Sequence, residues 1–265
     1  LIYISNFLSN NINKKLDLKS SFVPLWLPIL FVVMLILPSN FSTALMIFFM
    51  VLTILFLGQY PFKYIFSIIL AAIFTTSLFV ILVKNYPDLV PNRIDTWANR
   101  IENYINPSLS DSGYQINRAK AAIANGSLFG VGAGKSSMKY ILPQSTSDFI
   151  FSIITEEYGL VVAISILFLY LILLFRIIII SYKSSSTFGK LIALSVGLPV
   201  VFQAFINMGV AVQLIPVTGQ PLPLISMGGT SIWTSFLAFG ILLSVSSKKI
   251  INESEPKKND LKIYG

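Results

Sequence analysis

Three carboxylates share the stretch Ser147-Asp148-Phe149-Ile150-Phe151-Ser152-Ile153-Ile154-Thr155-Glu156-Glu157-Tyr158-Gly159, with Asp148 at the mouth of a strongly apolar helix and Glu156 and Glu157 deeper along it. Acidic groups beside lipid are costly and are kept there for function. The 265-residue chain has 11 acidic residues and no histidine or cysteine, so these carboxylates are among the few groups able to do acid-base chemistry. Imidazole bases, thiolate nucleophiles, disulfides and thiolate metal sites are excluded, and any metal would be a hard cation held by oxygen.

Asp148 sits where a polar Ser-Thr-Ser run meets an apolar span, which is the place of a helix N-cap. The same position suits a general base, because the helix N-terminus favours the ionised form and a carboxylate can accept a hydroxyl proton. Residue types leave both readings open. Glu156 and Glu157 lie about 12 Å further along the axis and point about 100° apart, so at most one shares the side facing Asp148. Buried acids are ordinarily paired with Arg or Lys, which is the plain expectation for both.

The elements that must position these groups are membrane helices. Hydrophobic residues make up 55% of the chain and charged residues 11%, and mean hydropathy is +0.78. Apolar spans fall at 21–38, 41–58, 62–83, 149–180, 189–213 and 228–247. The expected fold is an all-α polytopic membrane bundle. Residues 1–20 read as the tail of a preceding helix and a loop, 21–83 as three spans, 84–148 as a long loop, 149–247 as three spans with a proline-broken segment at 207–231, and 248–265 as a polar tail. The first residue is Leu1 and no signal peptide pattern opens the chain, so it reads as a piece of something longer.

Lys14, Lys15, Lys19, Lys63, Arg176, Lys183, Lys190, Lys248 and Lys249 all fall on one set of connections, while 38–40 and 207–228 carry no Lys or Arg. Basic residues in short loops mark the cytoplasmic side, which places both chain ends there and the 84–148 loop outside. The net charge of +8 is therefore first a topology signal, and nucleic acid is not an expected partner.

The loop carries Arg93, Arg100, Arg118, Lys120, Lys135 and Lys139 among Trp97, Tyr104 and Tyr114. Beside a bilayer, such a set attracts anionic lipid or captures a lipid-linked diphosphate. Residues 115–125 have helical character, with Ile116, Ala119, Ala122 and Ile123 on one face. Gly130-Val131-Gly132-Ala133-Gly134-Lys135-Ser136 is not a nucleotide P-loop, because three residues rather than four separate Gly130 from Gly134 and no strand precedes it. A turn that lets a lipid diphosphate approach the backbone, or a plain loop, are the readings left. The run 215–231, with Pro216, Pro221 and Pro223, cannot be a regular helix and must line a cavity or pack as a re-entrant element.

Taken in order, Gly113-Tyr114-Gln115, Gly126-Ser127-Leu128-Phe129-Gly130-Val131-Gly132-Ala133-Gly134-Lys135-Ser136, Leu142-Pro143, Asp148-Phe149-Ile150-Phe151 and Glu156-Glu157-Tyr158-Gly159 resemble the long-loop signature of the SEDS glycosyltransferases, which include FtsW, RodA and SpoVE. Pro223-Leu224-Ile225-Ser226-Met227-Gly228-Gly229-Thr230-Ser231 is similar to the same family's L-P-x-I-S-x-G-G-[ST]-S, and Arg93, Thr96-Trp97 and Asn99-Arg100-Ile101 resemble FtsW more than RodA.

The resemblance implies a ten-helix enzyme of the bacterial inner membrane that polymerises lipid II into glycan strands during septal wall synthesis. It would work with a class B penicillin-binding transpeptidase and other divisome proteins. Asp148 would be the catalytic base, deprotonating the acceptor hydroxyl that displaces undecaprenyl diphosphate with inversion. Arg93, Arg100, Gln115, Lys135, Lys139, Ser226 and Gly228 would bind substrate, and Glu156, Glu157 and Asn207 would be structural or gating residues. The resemblance assigns no definite cofactor, and a divalent cation (Mg or Mn) could assist departure. A lipid II flippase and a non-catalytic divisome scaffold are the competing readings. Two departures stand out: Thr146-Ser147-Asp148 replaces the family's H-T-D, and Leu37-Pro38-Ser39-Asn40-Phe41-Ser42-Thr43-Ala44 replaces its Q-P-D-L-G-T-A.

Overall fold

The computed structural model describes residues 1–85, apart from 13, 15 and 38, and residues 111–254. The helices are α1 (Ile2–Asn10), α2 (Leu18–Ile36), α3 (Phe41–Leu57), α4 (Phe62–Asn85), α5 (Asp111–Gly126), α6 (Ile150–Lys183), α7 (Thr187–Ala211) and α8 (Gly229–Ser254). Four of these, α2, α6, α7 and α8, are long and apolar enough to cross a membrane, and α3 and α4 contribute shorter apolar helices. The all-helical expectation holds, with an apolar helix at each of the six anticipated places.

The core is asymmetric because one helix is central. In α7, Ala193, Val201, Ala204, Asn207, Met208, Val210 and Ala211 are all buried, whereas α2, α6 and α8 leave most of their apolar surface open on the outside of the bundle. Small residues let neighbouring backbones approach closely without a hydrophobic drive between them. At Gly197, an added Cβ would meet the Ile177 side chain of α6 at 2.7 Å.

The short α1 is not a loose tail. Ile4 and Leu8 pack into a cluster with Leu25, Trp26, Ile54 and Leu198, and the buried hydroxyls of Ser5 and Ser195 bond to each other across α1 and α7. Proline shapes α2 where that helix meets α1. Pro28 has no N–H for the Pro24 carbonyl one turn back. The helix widens into a π-turn over Phe22–Trp26, and Tyr3 of α1 donates its hydroxyl to Pro24 O instead.

One boundary differs from the sequence expectation, and the long loop holds a turn of its own. Helix α7 runs through Asn207 to Ala211, so the irregular segment begins at Val212 rather than at 207. The mostly apolar residues from Ile206 continue the helix to Ala211, and just beyond it Gln213 adopts φ 61. Between α5 and α6, the long loop contains a 3-10 turn over Met138–Tyr140.

Candidate active site

Asp148 is not the cap of α6. The cap position falls on Phe149 and no side chain bonds there, so the cap reading is replaced. The reason lies in the preceding turn. Gln144 takes φ 55, and its carbonyl accepts from Ser147 N at 3.1 Å and Asp148 N at 3.0 Å. This turn is pinned by the buried side chains of Leu142 and Phe149, which pack with Ala119, Ile153 and Val210. The carboxylate is thereby turned away from the helix donors. Its Oδ1 accepts from Ser147 Oγ at 2.6 Å. Its Oδ2 lies beside Gly219, where an added Cβ would sit at 3.6 Å.

Three successive carbonyls of this loop are held by the proline-broken segment and α7. Met227 N–H donates to Thr146 O at 3.0 Å, Ser226 Oγ donates to Ser147 O at 2.6 Å, and Asn207 Nδ2 donates to Asp148 O at 2.7 Å. The proline segment is secured from behind in the same way. Asn207 also donates to Gln220 O at 2.8 Å, Gln203 donates to Pro221 O at 3.0 Å, and Tyr170 of α6 donates to Pro223 O. Gln220 reaches the start of α3 by donating to Thr43 Oγ1 at 2.8 Å. Irregular backbone at membrane depth must have its polar groups satisfied by protein. These side chains do so, which makes residues 220–223 a packed shelf beneath Asp148.

The second acidic position is built differently. Glu156 is 1% exposed and its carboxylate accepts from Ser136 Oγ, Ser137 Oγ, Asn125 Nδ2 and Met138 N–H. The expected Arg or Lys partner is replaced by neutral donors. Hydroxyl, amide and backbone N–H groups satisfy the oxygens without bringing a second charge that would itself need desolvation. Glu157 is half-buried.

Beside this cage α6 is broken. Gly159 adopts φ 83, ψ 177, and the helix backbone groups released there pair with the glycine-rich loop. Val131 N donates to Glu156 O at 2.9 Å, Gly132 N to Glu157 O at 3.0 Å, Leu160 N to Ser127 O at 2.9 Å and Val161 N to Leu128 O at 3.3 Å. Backbone lies directly on backbone, so a Cβ on Gly126, Gly130 or Gly159 would overlap main-chain atoms of the facing segment. Gly126, Gly130 and Gly159 thus serve a docked clasp rather than a free loop.

Of the residues expected to act, the structure brings Asp148, Asn207 and Ser226 together. Ser226 is corrected from a substrate contact to an internal one, since it is 2% exposed and its hydroxyl also accepts from Leu222 N at 2.6 Å. Gly228 adjoins Met227 at the same clamp. Gln115 is half-buried on α5, whose face of Ile116, Ala119 and Ala122 is buried as the pattern predicts, while Lys135 and Lys139 are exposed on the loop beside the Glu156 cage. Lys120 donates to Gln213 Oε1 at 2.7 Å, and Arg118 lies 4.9 Å from the Tyr114 ring centroid. Arg93 and Arg100 lie outside the described residues. Among the described residues no group of three or more acidic side chains gathers that could hold a metal.

Comparison with known proteins decides the family. Residues 1–250 match the family model described as cell cycle protein FTSW_RODA_SPOVE. The chain belongs to this family. As an FtsW/RodA/SpoVE member it is a multi-pass membrane protein. It is 36% identical over 261 residues to a probable peptidoglycan glycosyltransferase FtsW of Enterococcus hirae, covering 94% of this chain and 64% of that protein. It is 33% identical over 258 residues to the corresponding FtsW of Buchnera aphidicola subsp. Schizaphis graminum, covering 96% and 70%. The chain therefore spans about two thirds of the length of these relatives. A chain of a solved peptidoglycan synthase complex shares the fold at TM-score 0.69 and 24% identity, covering 93% of this chain and 68% of its own length.

The sequence did not single out Gln203 or Tyr170, and it left the break at Gly159 unread. A signal for the first exists. Gln203 and Asn207 are polar at i, i+4 in an otherwise apolar helix, which places them on one face.

Proposed function

We propose that this protein is an FtsW-type peptidoglycan glycosyltransferase that polymerises lipid II in septal wall synthesis. The observation that carries the reading is the state of Asp148. The loop that carries it is clamped at the carbonyls of Thr146, Ser147 and Asp148, yet the residue is half-buried, takes one hydroxyl donor at Oδ1, and keeps Oδ2 beside a glycine. A fixed backbone with an acceptor oxygen still available is what a general base needs.

Asp148 takes the proton of the acceptor sugar hydroxyl as that oxygen forms its bond to the anomeric carbon of the donor chain. The bond to undecaprenyl diphosphate breaks with inversion, and the diphosphate leaves with the electron pair. Arg93, Arg100, Lys135 and Lys139, with Gln115 and Gly228, belong to the substrate side of this reading, the cations offsetting charge on the leaving group. The lysine-poor connections support a reading in which Asp148 lies on the outer side of the inner membrane and both ends of this chain are cytoplasmic. The solved neighbour belongs to a peptidoglycan synthase complex that coordinates polymerization and crosslinking, which supports a crosslinking partner; in this reading that partner is a class B penicillin-binding transpeptidase working with other divisome proteins.

The test is Asp148→Asn in the full-length protein, reconstituted with its transpeptidase and supplied with lipid II. Glycan polymer is expected to fall by about 10²–10⁴-fold. Polymer at the unsubstituted rate would remove Asp148 from the base role, and lipid II moved across the bilayer without polymer would mark a transporter.

A further inference from the structure

We propose that Asn207 is a positioning residue for Asp148, setting the height of the base through its backbone and never touching substrate. The proposal rests on the general-base reading above. Asn207 is 1% exposed, in a helix whose neighbouring positions Ala204, Met208, Val210 and Ala211 are buried and apolar. Both of its N–H donors are spent, one on Asp148 O at 2.7 Å and one on Gln220 O at 2.8 Å. This fixes the orientation of the amide, because a flipped side chain would set Oδ1 against two carbonyl oxygens. Its Oδ1 is buried without a hydrogen-bond partner. An apolar side chain would avoid that penalty, so packing alone does not account for asparagine here.

The neighbouring bonds show what is particular to this one. Gln203 and Tyr170 hold the shelf at Pro221 and Pro223 but do not touch the Asp148 loop. Ser226 and Met227 hold that loop at Ser147 and Thr146. Ser226 also links the two, through Leu222 N and Ser147 O, whereas Asn207 links them at the carbonyl of the candidate base itself. Losing it leaves the shelf and the rest of the loop attached while freeing the residue that must meet the acceptor hydroxyl. A displacement of about 1 Å in a reacting group costs on the order of 100-fold in rate.

The experiment compares Asn207→Leu, Asn207→Ala, Gln203→Ala and Asp148→Asn in the full-length protein with its transpeptidase in proteoliposomes. Asn207→Leu keeps the approximate shape and has no donor. Lipid II polymerisation is read at saturating and sub-saturating substrate, alongside thermal unfolding in detergent. Both Asn207 variants are expected to lose about 100-fold in kcat with KM close to that of the unsubstituted protein and a lower unfolding temperature from the two lost bonds but cooperative unfolding retained, and Gln203→Ala is expected to lose far less activity. Undiminished kcat in Asn207→Leu, or an equal loss in Gln203→Ala, overturns the proposal. Cooperative unfolding lost in both Asn207 variants but kept in Gln203→Ala also overturns it, assigning Asn207 to the fold. Activity retained by Asp148→Asn defeats the general-base reading instead, whereas an inactive Asp148→Asn beside fully active Asn207 variants defeats only the positioning role.

Discussion

Asp148 and Glu156 belong to the same short stretch of chain, and their surroundings are opposite. Around Glu156, four donors from α5 and the 136–138 loop converge on the carboxylate and no surface is left for anything else. Around Asp148 the hydrogen bonds converge on the backbone, and the carboxylate takes one neighbouring hydroxyl. A saturated carboxylate is an anchor. A carboxylate whose main chain is saturated while its side chain is not can meet a ligand. The contrast teaches that function here is marked by which atoms of an acid are satisfied, more than by how deeply it is buried.

Four substitutions would break or sharpen that contrast. The largest effect is expected at Asp148→Asn, which should remove about 10²–10⁴-fold of polymerisation with unchanged unfolding temperature. A parallel loss of stability would make Asp148 a second anchor. Next is Gly159→Ala. The position has φ 83 and faces the backbone of Leu128, so strain of about 1–3 kcal/mol adds to loss of the clasp, and the unfolding temperature in detergent should drop clearly. Glu156→Gln follows, since one acceptor oxygen becomes a donor facing donors. A destabilisation of about 1–3 kcal/mol is expected, and lipid II turnover per folded molecule should fall much less than in Asp148→Asn. The smallest is Thr43→Val, which removes the bond to Gln220 and should cost about 0.5–1.5 kcal/mol in the same unfolding assay.

Much of this was legible in the residues. The apolar runs give helices at the expected places, and the prolines of 215–231 announce a non-helical segment, because both signals are local. Asp148 stands out because the chain has few groups for acid-base work. What could not be read is how the non-local backbone groups are satisfied. Nothing in Gly130-Val131-Gly132 states that its N–H groups will serve the carbonyls of Glu156 and Glu157, since those bonds join segments some 25 residues apart. Likewise Pro221 and Pro223 predict freed carbonyls, but which side chains accept the task depends on how α6 and α7 are packed. Reading Ser226 as a substrate contact failed for the same reason. A serine in a glycine-rich turn looks available until its two partners are placed.

The break at Gly159 also changes what α6 has to span. Its 34 residues would measure about 51 Å as one rod, well beyond a hydrocarbon thickness of about 30 Å. From Leu160 to Lys183 the helix alone reaches roughly 36 Å, enough to cross. The segment before the break, carrying Glu156 and Glu157, is thus surplus to the crossing. It can stand among headgroups as part of the clasped loop, sparing its carboxylates the cost of lipid.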